Sequence, residues 1–152
     1  MAKRERPDDT PNELKVRALR LLARREHSRA ELARKLAAHA ESPQALDGTL
    51  DQLASRKQLS DERYAEARAT SLARKYGAAK IRQDLKAHGV ADAIIERVSN
   101  AGDEERARAI LARKYRGAAT SREEAARRAR FLQGRGFSYE TIRRALALSD
   151  GE

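Results

Sequence analysis

Apolar residues recur at three- and four-residue intervals through nearly the whole chain, the spacing of amphipathic helices. Thr10-Pro11-Asn12-Glu13 reads as a helix start: threonine at the cap, proline first inside, glutamate reaching back. Leu14, Ala18, Leu21 and Leu22 then form an inward stripe. Ser28-Arg29-Ala30-Glu31 is a second capping box, opening a helix with Leu32 and Leu36 inside. Ser42-Pro43 starts a third, with Leu46, Leu50 and Leu53 buried, and Leu59 packs at the junction that follows.

The central stretch is the most informative. Ser60 caps a helix whose Asp61 and Glu62 complement its N-terminal dipole, and Ala65, Ala69, Leu72 and Tyr76 share one face. Gly77 is expected to end this helix in a left-handed turn. Ile81 and Leu85 carry the next stripe, Gly89-Val90 closes it, and Ile94, Ile95 and Val98 mark a further helix. The last third runs the same way. Ala107, Ile110, Leu111 and Tyr115 give one helix, and a polar turn from Arg116 to Thr120 follows. Ser121-x-x-Glu124 opens another with Ala125, Ala129 and Leu132 inside. Gly136-Phe137 ends it, Ser138 caps the next, and Ile142 and Leu146 are its core positions.

The pattern also repeats in letters. Leu72-Ala73-Arg74-Lys75-Tyr76 returns as Leu111 to Tyr115, with Leu22-Ala23-Arg24-Arg25 a weaker copy. Gly89-Val90 before Ile94-Ile95 matches Gly136-Phe137 before Thr141-Ile142. The expectation is an all-α protein of three tandem three-helix repeats, at 10–59, 60–101 and 102–148, between disordered tails at 1–9 and 149–152. Units that touch mainly their neighbours predict an elongated, curved body.

Composition narrows the class. Apolar residues make up 40% of the chain but aromatics only 4%, so each repeat buries little. There is no cysteine, which excludes disulfides and thiolate metal sites and suits a reducing cytoplasm. No apolar run approaches the roughly 20 residues of a membrane span, and the charged start is not expected to be a signal peptide. A cytoplasmic monomer is expected.

The net charge of +10 is unevenly spread: Arg106 to Arg144 holds 12 Lys or Arg against 3 Asp or Glu. Segregated positive charge points to a polyanionic partner, nucleic acid or an acidic protein groove. Arg127, Arg128, Arg130 and Arg135 fall on or near one helix, with Arg143 and Arg144 on the next. Arg24, Arg25, Arg29 and Lys35 gather about an earlier turn, and Arg63, Arg68 and Arg74 lie in the central stretch. These are the candidate contacts, since planar guanidinium forks suit phosphate and carboxylate. Any one of them alone is more simply a solvated arginine. Nucleic-acid contact through the backbone would be weak, salt-sensitive and indifferent to sequence.

Catalytic signatures are missing. His27, His39 and His88 have no metal-ligand spacing and read as surface or helix-end groups. Gly134-Arg135-Gly136 lacks the strand a dinucleotide fingerprint needs. Each of Ser28, Ser42, Ser60, Ser121 and Ser138 has a capping explanation. No enzyme and no cofactor are expected. A helix-turn-helix DNA binder reading with the Ser121–Arg135 helix, and an adaptor for an acidic protein, remain alternatives.

Three segments together carry a family resemblance. Arg25-Glu26-His27-Ser28, Glu31-Leu32 and Lys35-Leu36 come first. Asp61, Arg63-Tyr64-Ala65, Arg68, Arg74, Gly77, Ile81, Leu85 and Gly89-Val90 follow. Arg130-Phe131-Leu132, Arg135-Gly136-Phe137-Ser138 and Ile142-Arg143 close the set. In this order they resemble the RecX family of RecA recombinase regulators. Tyr64, Asp84 and Val90 stand where phenylalanine, glutamate and isoleucine are usual there. The resemblance implies binding in the groove of the RecA–DNA filament, with inhibition of its ATPase, strand-exchange and co-protease activities.

Overall fold

The computed structural model describes residues 7–99 and 102–147. Residues 1–6 of the tail expected at 1–9, residues 100–101 at the end of the second expected repeat, residue 148 at the end of the third and the tail expected at 149–152 lie outside them. Helices account for all the regular structure among the described residues. They are α1 (Pro11–Arg24), α2 (Arg29–Leu36), α3 (Pro43–Ser55), α4 (Asp61–Leu72), α5 (Ala78–Ala87), α6 (Asp92–Ser99), α7 (Asp103–Lys114), α8 (Arg122–Gly134) and α9 (Tyr139–Ala147). None is long and apolar enough to cross a membrane.

Helix starts follow from side-chain oxygens placed three residues ahead of a free N–H. The hydroxyls of Thr10, Ser28, Ser42, Ser60, Ser121 and Ser138 accept from the N–H groups of Glu13, Glu31, Ala45, Arg63, Glu124 and Thr141, at 3.0–3.2 Å. Helix ends use left-handed backbone. Gly89 and Gly136 have φ of +77° and +93°. Lys57 also takes a positive φ, 60°, and ends α3 while Gln58 N–H returns to Leu53 O at 2.9 Å.

Two expectations fail locally. Gly77 is not left-handed; α4 stops at Leu72, and Gly77 instead precedes α5, its carbonyl accepting from Ile81 N–H at 3.2 Å. Asp9, within the tail expected at 1–9, is tied down rather than loose. Asp9 N–H donates to His39 O at 2.9 Å, and the Asp9 carboxylate takes Arg17 Nε at 2.8 Å.

The described residues form two compact units, one of 7–64 with 88–90, the other of 65–87, 91–99 and 102–147. In the first, α1, α2 and α3 pack pairwise around Leu14, Ala18, Leu32, Leu36, Leu46, Leu50, Leu53 and Leu59. Each fully buried leucine contributes about 1.5–3 kcal/mol by leaving water. In the second, α7 and α8 both pack on α9 around Ala107, Ile110, Leu111, Leu132, Phe137, Ile142 and Ala145, and α5 packs on α6.

One hydrogen-bonded joint occurs in both units. In the first, Asp61 Oδ1, at the start of α4, accepts Arg29 N–H at the start of α2 at 2.8 Å. Ser28 Oγ donates to His88 O at 2.6 Å, just ahead of left-handed Gly89. In the second, Asp103 Oδ2, at the start of α7, accepts Ala78 N–H at the start of α5 at 3.3 Å. Gly77 and Ala79 N–H donate to Arg135 O and Gly136 O at 2.8 and 3.1 Å. In each joint an aspartate and a spent helix C-terminus supply acceptors to a helix N-terminus, whose free donors and partial positive charge they satisfy. This joint explains why 61–64 and 88–90 cluster with the first three helices.

Candidate nucleic-acid interface

The structure divides the basic residues singled out from sequence into engaged and free groups. In the first unit nearly all are engaged. Arg25 pairs with Glu31 at 2.7 Å, Arg29 with Asp51 at 2.7 Å and Arg63 with Glu26 at 2.9 Å. Lys35 Nζ lies 3.0 Å from His27 Nε2. Arg24, at the end of α1, is exposed and makes no ion pair with a described residue.

His27 is a correction to the surface reading. The residue is 1% exposed. Nδ1 faces Arg25 O at 3.0 Å and Nε2 faces the Lys35 ammonium, so Nδ1 carries the proton and Nε2 accepts. Burial pushes the imidazole below its ordinary range, and the charges of Arg25 and Lys35 add to this, against Arg25 O and Glu31. Burial pushes the Glu31 carboxyl upward, but the Arg25 hydrogen bond and the charges of Arg25, His27 and Lys35 outweigh it and hold it low.

In the second unit Arg68 grips Asp84 with two bonds of 2.9 Å, joining α4 to α5, and Arg144 pairs with Glu140 at 2.7 Å. Arg128 departs most from expectation. It is 3% exposed, Nη1 donating to Gly117 O at 2.9 Å, with its guanidinium 4.7 Å from the centre of the Tyr115 ring. Glu124 lies 3.4 Å from Nη2. Arg128 thus pins the polar turn between α7 and α8 and cannot also present its charge to a partner. Glu124 is held low by hydrogen bonds from Thr120 N–H and hydroxyl, against desolvation, with Arg128 adding to the effect.

Arg74, Arg127, Arg130 and Arg143 are exposed and make no ion pair with a described residue. Arg130 and Arg143 flank an open groove of 550 Å³ floored by Phe137, Ile142 and Leu146. Arg74 and Arg135 line a second cleft, of 760 Å³, together with Lys75, Arg113 and Lys114, which the sequence reading passed over. The signal for them was in the repeated five residues: Arg74-Lys75-Tyr76 and Arg113-Lys114-Tyr115 are its two copies. Arg113 donates to Arg74 O, and Arg135 reaches Lys75 O at 3.5 Å. Lys114 Nζ sits 3.9 Å over the Phe131 ring, while Arg135 lies 5.0 Å from Phe131 and 5.7 Å from Tyr76.

Residues 15–53, 60–98 and 102–146 match the family models for the first, second and third three-helix domains of RecX, in that order. A regulatory protein RecX from Leptothrix cholodnii is 44% identical over 142 residues, 91% of this chain and 90% of that protein. One from Neisseria gonorrhoeae is 38% identical over 135 residues, 88% of each. The crystal structure of RecX from Lactobacillus salivarius superposes with a TM-score of 0.79 at 21% identity, covering 92% of this chain and 96% of that one. That last likeness concerns the fold.

Proposed function

We propose, since this chain belongs to the RecX family of regulatory proteins, that it is a negative regulator of the RecA recombinase. It binds in the groove of the RecA–DNA filament and inhibits the filament's ATPase, strand-exchange and co-protease activities. The observation that carries the reading is the ordered match of all three family domains along one chain. It acts by binding, with no reaction of its own, as a cytoplasmic monomer.

Unpaired, exposed charge supports the mode of contact. Arg127, Arg130 and Arg143 face solvent without a carboxylate partner among the described residues, so they break no described ion pair when they meet an anionic surface. The paired arginines of the first unit would have to give up an existing ion pair. A protein held across neighbouring filament subunits in one conformation opposes the motions that ATP turnover needs. Groove contact through these arginines weakens with salt as counterions return.

The test is RecA's DNA-dependent ATP hydrolysis with this protein titrated in at two salt concentrations. Inhibition that is stronger at low salt is expected. A variant carrying Arg127→Glu, Arg130→Glu and Arg143→Glu should inhibit less and show a flatter salt dependence. Hydrolysis at full rate under saturating wild-type protein would end the proposal, and undiminished inhibition by the variant would remove these three residues from it.

A further inference from the structure

The cleft lined by Arg74, Lys75, Arg113, Lys114 and Arg135 is a second-unit feature distinct from the Arg127–Arg130–Arg143 strip. Among the described residues its lining contains five cations and no carboxylate. Like charges repel, so such a gathering needs either an internal reason or an outside anion. An internal reason exists for two of the five. Arg113 and Arg135 donate to the carbonyls of Arg74 and Lys75, which α4 leaves free beyond its end. Among the described residues the Arg74 and Lys75 side chains have no charge partner, and Lys114 meets only ring faces, Phe131 at 3.9 Å and Tyr115 at 5.8 Å.

Tyr76, Ile110 and Phe131 supply an apolar wall to the same cleft. Cations beside an apolar wall match a ligand with a phosphate at one end and a flat ring at the other. At 760 Å³ the space fits a small-molecule-sized unit, not the width of a duplex. In duplex DNA the bases are also stacked inward and unavailable to the wall, whereas in a single strand they are free.

We propose that this cleft holds one nucleotide of a single-stranded nucleic acid, its phosphate among Arg74, Lys75 and Lys114 and its base against Tyr76, Ile110 and Phe131. Arg113 and Arg135 are positioning residues that shape the cleft by fixing the backbone at residues 74 and 75. The inference rests on nucleic acid being part of the target proposed above, and it names where on this chain the strand is held.

The experiment is fluorescence anisotropy of a labelled oligothymidylate against the full chain without RecA, across a salt series. Single-strand binding is expected, with a variant carrying Arg74→Ala, Lys75→Ala and Lys114→Ala weaker by about tenfold and its log–log salt slope reduced by about 2. Lys75→Arg with Lys114→Arg should retain binding, as should Arg122→Ala outside the cleft, with circular dichroism confirming the fold of each. Equal affinity for duplex of the same sequence would overturn the proposal. So would unchanged binding by the alanine variant, or equally effective competition by ATP or polyglutamate. RecA inhibition measured in parallel separates the two readings: an inhibitor that binds no strand loses the cleft assignment and keeps its regulatory function.

Discussion

Gly77 and Gly136 lie in backbone contact: a Cβ added to Gly77 would come within 2.7 Å of Gly136 O. A Cβ added to Gly136 would meet Lys80 backbone nitrogen at 2.8 Å, at a φ of +93° that side chains rarely adopt. The two glycines end up side by side because the end of α8 is the acceptor for the start of α5.

Replacing either should therefore cost more than a backbone preference. Gly77→Ala and Gly136→Ala are expected to destabilise by more than about 1 kcal/mol each. Gly134→Ala, two residues earlier in helical backbone with open space around it, should stabilise by about 0.4–1 kcal/mol. Urea denaturation of the three variants checks the contrast, and equal effects would show that the close approach is not needed.

Arg128 and its neighbour Arg127 provide a second contrast. Arg128→Ala removes a charged hydrogen bond to Gly117 O and should cost about 2 kcal/mol. Arg127→Ala, at an exposed position, should stay within about 0.5 kcal/mol. Thermal melts of the pair read this directly.

Lys57 carries a left-handed backbone at the end of α3 without being glycine. Such a conformation costs a residue with a Cβ about 1–2 kcal/mol. Lys57→Gly is expected to raise stability by up to about 1 kcal/mol, after glycine's greater unfolded-state entropy is subtracted. A lowered urea midpoint would mean that Lys57's aliphatic stem or charge outweighs the strain.

The buried His27 links stability to pH. Its folded imidazole holds its proton less well than the ordinary value of 6.5, so the unfolded chain binds more protons below that pH. Stability should be level above about pH 6.5 and fall as pH drops through and below it. Lys35 and Arg25 oppose the added charge, while Glu31, 3.7 Å away, partly offsets it, with His88 4.0 Å from the same carboxylate. Glu31, itself held below 4.5, adds a further loss only at lower pH, as it protonates. His27→Gln should flatten the upper part of this profile, and an unchanged profile would place the titration elsewhere.

Much of this protein was readable from its residues in order. Helix starts at Thr10, Ser28, Ser42, Ser60, Ser121 and Ser138, and the buried faces around Leu32, Leu50, Ile81 and Leu132, follow from neighbours three or four places apart. Such interactions are local, so the order of residues is enough to state them. Periodicity also showed three helical repeats, and motif order pointed to the family.

Tertiary structure decided what depends on residues distant in the chain. Whether an arginine is free or engaged turns on a partner such as Glu26 for Arg63, Asp84 for Arg68 or Gly117 for Arg128, and no local pattern names that partner. Gly77 looked like a helix stop because glycine serves both left-handed turns and close backbone approach, and only the position of Gly136 tells them apart. The basic cleft has the same origin. The Arg-Lys pairs at 74–75 and 113–114 are plain in the repeat, but their convergence is set by how α4 and α7 end beside one another.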